Sequence, residues 1–222
     1  MKAMILAAGL GKRLKPITDT TPKPLVEAGG KALIEYTILR LKNAGIQDIV
    51  LNVCPHKEKI KAYLQDGEKW GVRLHYSDEA TPLETGGGIV KALPLLGPDP
   101  FLLVSGDIYV EYDFSQLKSK LSNNNLIHLV MVPNPHFKPQ GDYELNEGCL
   151  VIAPTSRYNY GGFGVLHPDL FKTSQIEAFP VASLFKKAIL DEQATGEVFT
   201  GTWHNIGTID DLNTLKAALN NG

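Results

Sequence analysis

Apolar residues in the first half of the chain fall into short runs separated by stretches with helical spacing. Ala3–Leu6, Asp48–Val53, Val72–Tyr76 and Phe101–Val104 read as buried strands. Between them, Ile34, Ile38 and Leu41 recur at a helical period up to Gly45, and Ile60 and Leu64 do so before Gly67. Gly86, Gly87 and Gly88 precede a third helical stretch, Ile89 to Leu93, which Pro94 helps to end. Strand alternating with helix predicts an α/β fold: a Rossmann-like three-layer sandwich with a mixed, mainly parallel sheet and helices on both faces. Ligands of such sheets gather at the carboxyl ends of the strands. The loop after Leu6, Asn52 and Ser105-Gly106-Asp107 all emerge there, so distant segments are expected to meet in one crevice.

The second half is less regular. Asn123–Asn125 predict a turn, Leu126–Val132 a strand, and Pro133–Gln140 a loop. Short strands are expected at Tyr143–Leu145, Cys149–Ala153 and Tyr160–Leu166, and a helix around Val181–Ile189. A further segment, Glu197–His204, leads to a final helix from about Ile209 to Leu219, with Thr208 and Asp211 as its N-cap and capping box. No internal repeat, low-complexity linker or composition shift divides the 222 residues, so a single domain is expected.

Composition narrows the partners. A net charge of −2 provides no overall basic field for nucleic acid or an anionic membrane. Two cysteines, Cys54 and Cys149, are too few for a disulfide framework and lie far outside C-x-x-C metal spacing. The chain opens on a strand, and no stretch approaches the roughly 20 apolar residues of a membrane helix. A cytoplasmic protein, monomeric or homodimeric, is the expectation. Any phosphate binding must come from a local cluster, and Lys12, Arg13, Lys15 and Lys23 supply one.

That cluster belongs to A-A-G-L-G-K-R-L-K-P-I-T-D-T-T-P-K-P-L, Ala7 to Leu25, directly after the first strand. Two glycines after a strand can be a plain tight turn, but they also let backbone N–H groups approach a phosphate closely. The dinucleotide fingerprint fails because its third glycine would fall on Leu14, and the Walker pattern fails because Arg13 follows Gly11-Lys12. Gly9, Gly11, Arg13, Leu14, Pro16, Thr18, Pro22, Lys23 and Pro24 form a G-x-G-x-R-L-x-P-x-T and T-P-K-P pattern that resembles the sugar-1-phosphate nucleotidylyltransferases. P-L-E-T-G-G-G-I from Pro82, G-D-Y at Gly141–Tyr143 and L-H-P-D-L-F at Leu166–Phe171 look most like the N-acetylmuramate 1-phosphate uridylyltransferases of cell-wall recycling.

The resemblance implies a nucleotidyltransferase (GT-A-like) fold, with a nucleotide half up to about residue 110 and a sugar-phosphate half beyond it. It implies attack of a sugar 1-phosphate on the α-phosphorus of a nucleoside triphosphate, most readily UTP, with release of pyrophosphate. Arg13 and Lys23 are the implied catalytic cations. Ala7, Ala8, Gly9, Gly11, Asn52, Thr85, Gly86 and Asp107 would surround the nucleotide, and Asp142 and Gly162 the sugar phosphate. Asp107 ends its strand as V-S-G-D, a place for a turn-forming aspartate or a metal ligand; the resemblance makes it a magnesium ligand. The second metal carboxylate of the family's W-x-D-[IV]-G-T motif is replaced here: Trp203-His204-Asn205-Ile206-Gly207-Thr208 puts Asn205 in the acidic place. An amide oxygen can ligate Mg²⁺ but adds no charge. Other substrates of the same reaction are glucose 1-phosphate with UTP or dTTP, heptose 1-phosphate with GTP, and phosphocholine with CTP. A reading of another class, a non-catalytic sugar-nucleotide-binding regulatory module, finds support only in Asn205. Trp203 reads as core, and His204 as a bystander.

Overall fold

The structure, a computed structural model, describes residues 1–122 and 124–220. Asn123, the first residue of the expected turn, lies outside the described residues. In chain order the first half folds as β1 (Ala3–Leu6), α1 (Ile17–Thr20), the small antiparallel pair β2 (Glu27–Ala28) and β3 (Lys31–Ala32), α2 (Leu33–Asn43), β4 (Asp48–Val53), α3 (Lys57–Leu64), β5 (Arg73–Asp78), α4 (Glu84–Leu96), β6 (Phe101–Ser105) and β7 (Ile108–Val110). The second half adds β8 (Ile127–Pro133), β9 (Glu144–Asn146), β10 (Cys149–Val151), β11 (Tyr158–Leu166), α5 (Ala182–Leu190), β12 (Ala194–Val198), β13 (Trp203–Asn205) and α6 (Ile209–Asn220).

One sheet runs β5-β4-β1-β6-β11-β8-β12-β10-β9. β5, β4, β1 and β6 pair in parallel, as do β12 and β8, while β11 and β10 run against their neighbours. The mainly parallel mixed sheet is therefore as expected. Successive side chains of a strand face opposite sides, so a strand covered on both faces must be apolar throughout. Ala3 and Ile5 of β1 pack with Ile34, Ile38 and Leu41 of α2 and Ile60 and Leu64 of α3. Met4 of the same strand packs on the other face with Ile89 and Ala92 of α4 and Phe185 and Ala188 of α5. Ile5 and Met4 are both fully buried, and each such side chain contributes about 1.5–3 kcal/mol. Among the described residues, no helix is long and apolar enough to cross a membrane.

The bounds of β9, β10, β11 and α5 shift by a residue or two from the sequence expectation, and three further differences have a tertiary reason. β5 starts at Arg73 and continues through polar Ser77 and Asp78, because its ladder with β4 extends to Asp78 opposite Val53. α4 contains the three glycines and Pro94 instead of lying between them. The glycines are packing positions: a Cβ on Gly86 would lie 2.2 Å from the Phe179 ring, and one on Gly87 1.9 Å from the Glu177 carbonyl oxygen. Glu197–His204 is divided between β12, in the large sheet, and β13, which pairs with β7 of the first half. The end of the chain thereby returns to the carboxyl edge of β1 and β6. Thr208 and Asp211 do form the expected cap of α6: the Asp211 N–H donates to Thr208 Oγ1 at 3.2 Å, and the Thr208 N–H to Asp211 Oδ2 at 2.8 Å.

Candidate active site

Two adjoining crevices open at the carboxyl edge of the parallel strands. The first, about 450 Å³, is lined by the loop from Ala7 to Arg13 together with Lys23, Asn52, Glu79, Thr85 and Asp107. That volume suits a small-molecule ligand. The N–H groups of Ala8, Gly9 and Gly11 have no acceptor among the described residues, which leaves them open to an anion. Gly11 takes φ +61°, and a Cβ there would lie 2.9 Å from Thr18 Cγ2 and 3.1 Å from Lys23 Cβ. The glycine thus lets the loop lie against the segment that carries Lys23, and Thr18 clamps it by donating its hydroxyl to the Gly11 carbonyl at 2.8 Å.

Lys23 is held in the cleft, not solvated. Its side chain is 10% exposed, and Nζ lies 2.8 Å from Asp107 Oδ2, whose side chain is 37% exposed. Arg13 is exposed and reaches toward the returning end of the chain: a Cβ on Gly207 would lie 3.1 Å from Arg13 Nη2. Lys15 leaves the expected cluster. It pairs with Asp19 at 2.8 Å on the exposed surface and does not line the crevice. Gly86 likewise lies outside the lining, its N–H donating to the Phe179 carbonyl at 2.8 Å, so the nucleotide role expected of it is not supported by its position.

The second crevice, about 380 Å³, shares Thr85, Ser105 and Asp107 with the first. Asp142, Gly162, Lys138, Asn159, Tyr160, Trp203 and Asn205 line it. Its floor is an irregularity in β11 between Tyr160 and Phe163, where Gly162 adopts φ +84° against Ser105. Asp142 braces this bulge by accepting the Tyr160 N–H at 3.0 Å, while its other oxygen pairs with Lys138. Trp203 donates its indole N–H to the Gly161 carbonyl at 2.8 Å, so the expected core tryptophan is half-buried and also walls the crevice. Two polar atoms here, Asn159 Oδ1 and the Tyr160 hydroxyl, are buried without a partner among the described residues. Burial pushes the Tyr160 phenol well above its ordinary pKa, and burial together with the Asp142 charge pushes Tyr143 up to about 12. Both phenols are therefore neutral hydrogen-bond donors near neutral pH.

The residues at the junction of the crevices fit a magnesium ion. Asn205 stands opposite Ile108 in the β13–β7 pair, and the next residue, Ile206, donates its N–H to the Asp107 carbonyl at 2.7 Å. Lys23 takes one Asp107 oxygen, which leaves the other free, and Asp107 and Asn205 both line the second crevice. One carboxylate, a neutral oxygen and ligand phosphates match magnesium's preference for few protein ligands and retained water. Among the described residues no group of three His, Cys, Asp or Glu offers an all-protein metal cage.

With this geometry in place, similarity to other proteins becomes informative. The nucleotidyl transferase family pattern matches residues 2–143. The chain belongs to the nucleotidyl transferase family. It is 41% identical over 227 residues to the N-acetylmuramate alpha-1-phosphate uridylyltransferase of Neisseria meningitidis serogroup B, covering 98% of this chain and 97% of that relative. The protein of the same name from Caulobacter vibrioides is 32% identical, covering 92% and 91%. A Bacillus anthracis crystal structure, assigned as a glucose-1-phosphate thymidylyltransferase, superposes with a TM-score of 0.89 at 21% identity, over 99% of this chain and 95% of that one. That last likeness concerns the fold alone. As a nucleotidyltransferase, the chain has its signature loop, Lys23 and Asp107 together in one crevice. Glu79, also on that crevice wall, escaped the sequence reading; its one signal was its place just beyond a parallel strand, as Asp107 lies just beyond β6.

Proposed function

We propose that this nucleotidyltransferase moves the uridylyl group of UTP to N-acetylmuramate 1-phosphate, releasing pyrophosphate, as a cytoplasmic enzyme of peptidoglycan recycling. One observation carries the reaction: the loop residues with unpartnered N–H groups, Arg13 and the Lys23–Asp107 pair line a single crevice that adjoins a second one. In this reading Gly9, Gly11 and Arg13 grip the β- and γ-phosphates, and Lys23 leaves Asp107 to lie between the α-phosphate and the incoming sugar phosphate. The nucleophile is already an anion, so no general base is required, and positioning with charge neutralisation supplies the acceleration. Asp107, with Asn205 as a neutral partner, would hold magnesium, which when bound adds positive charge at the α-phosphate. Asp142, Asn159 and Tyr160 line the second crevice, where the sugar would lie in this reading.

The choice of base and sugar rests on the full-length similarity to the two uridylyltransferases. Pyrophosphate release measured over UTP, dTTP, GTP and CTP against N-acetylmuramate, N-acetylglucosamine, glucose and heptose 1-phosphates tests it. UTP with N-acetylmuramate 1-phosphate is expected to give the highest kcat/KM. A higher value for any other pair overturns the substrate assignment, and no release from any pair overturns the reaction.

A further inference from the structure

Glu79 has no task in the mechanism above, yet it is a carboxylate only 3% exposed on the wall of the first crevice. Its Oε1 accepts from Asn52 Nδ2 at 2.7 Å, and its Oε2 accepts the N–H of Leu83, the residue before α4, at 3.0 Å. Asn52, itself 2% exposed, accepts the Ala7 N–H through Oδ1 at 2.9 Å. These bonds tie together the residues that follow β1 and β5, the end of β4, and the start of α4. Gly88 backs the arrangement from inside α4: a Cβ there would lie 2.7 Å from Glu79 Oε1 and 2.9 Å from Asn52 Nδ2.

The direction of the Asn52 amide follows from charge. A carboxylate can only accept, so the NH₂ group must face Glu79, which leaves the amide oxygen for Ala7. Reversed, oxygen would face oxygen and N–H would face N–H, with two buried bonds lost together. We propose that Glu79 is a positioning residue of the nucleotide site: it orients Asn52 and the first turn of α4, and through them the loop at Ala7 and the crevice wall at Glu84 and Thr85. The proposal rests on reading this crevice as the nucleoside triphosphate site. Glu79 touches no reacting atom, so it governs nucleotide binding and leaves the sugar phosphate and the bond-making step alone.

The test compares Glu79→Gln, Asn52→Asp and the double variant, with UTP binding by titration calorimetry, steady-state kinetics in both substrates, and thermal melting of each sample. A glutamine at 79 can accept from only one of the two donors. The KM and Kd for UTP are expected to rise at least about tenfold, the loss of one buried hydrogen bond to a charged group, with kcat and the KM for sugar phosphate unchanged. Asn52→Asp alone sets two carboxylates against each other and binds worst. In the double variant the new carboxylate at 52 accepts from both Ala7 and the glutamine NH₂, whose carbonyl accepts from Leu83. All three bonds return with the same net charge, so most of the lost affinity is expected back. Glu79→Gln with unaltered UTP affinity overturns the proposal, as does a double variant no better than the two losses combined. A fall in kcat that follows the melting temperature does so too, because it marks a purely structural role. Binding of UTP by the unaltered protein with no effect of Glu79→Gln defeats this proposal alone. No triphosphate binding by the unaltered protein defeats the functional reading as well.

Discussion

Lys23→Ala separates what one charge does for the fold from what it does for the reaction. In the folded protein the ammonium lies 2.8 Å from Asp107, whose side chain is 37% exposed at the mouth of the crevice. Asp107 keeps its contact with water when the ammonium is removed, so no buried unpaired charge is left and the cost to stability is about 1 kcal/mol. For a chain of this size that is a melting shift of at most about 2–4 °C. In the transition state the same ammonium would sit about 4 Å from the charge developing at the α-phosphate. At an effective dielectric constant near 20 that interaction is worth about 4 kcal/mol, similar to the loss of one preorganised donor in other enzymes. The variant is therefore expected to lose about 10²–10³ in kcat while its melting temperature stays nearly level. Single-turnover pyrophosphate release, with melting followed by circular dichroism on the same samples, reads both. Turnover near the unaltered value would refute the role of Lys23, and a loss matched by extensive unfolding would refute the separation.

Asn205→Asp is expected to lower the half-saturating Mg²⁺ concentration at least about tenfold, since a full charge about 4 Å from a divalent ion is worth roughly 2 kcal/mol even in water-like surroundings. Equal half-saturation in a magnesium titration of both proteins would count against Asn205 as a ligand. Gly87→Ala is expected to destabilise by about 1–3 kcal/mol, because its Cβ would meet the Glu177 backbone oxygen at 1.9 Å and backbone cannot rotate away; an unchanged urea midpoint would contradict this. His128 concerns pH. Burial holds its pKa below the ordinary 6.5, so the unfolded chain binds the proton first and stability falls as pH drops below 6.5. Asp48, Asp78, Glu111 and Glu197 have lowered pKa values, so their stabilisation is lost only below about pH 4.5. Urea midpoints at pH 7 and 5.5 should thus diverge in the unaltered protein and converge in His128→Gln; parallel behaviour of the two would exclude His128 as the source.

Much of this protein could be read from the chain alone, and the reason is locality. A buried parallel strand must be apolar on both faces, so β1, β4 and β6 stand out as continuous runs, and α2 as a helical period beside them. The loop from Ala7 to Leu25 is equally local: Gly11, Thr18 and Lys23 contact one another within a short stretch of chain. Placement at the carboxyl edge then follows from strand direction. What the chain could not disclose depends on partners far away in sequence. Gly86 and Gly87 of α4 looked like a break before a helix because the ring of Phe179 and the backbone of Glu177, which require them, lie more than eighty residues later. Lys15 is the local exception: its partner Asp19 lies one helical turn on, in α1, and takes it out of the cluster. Glu79, without a motif of its own, gained its place only when β4, β5 and α4 came together around Asn52. Residue type and spacing therefore determined the chemistry available, while the burial and pairing of each charge were decided by tertiary packing, because both depend on which distant atoms exclude water.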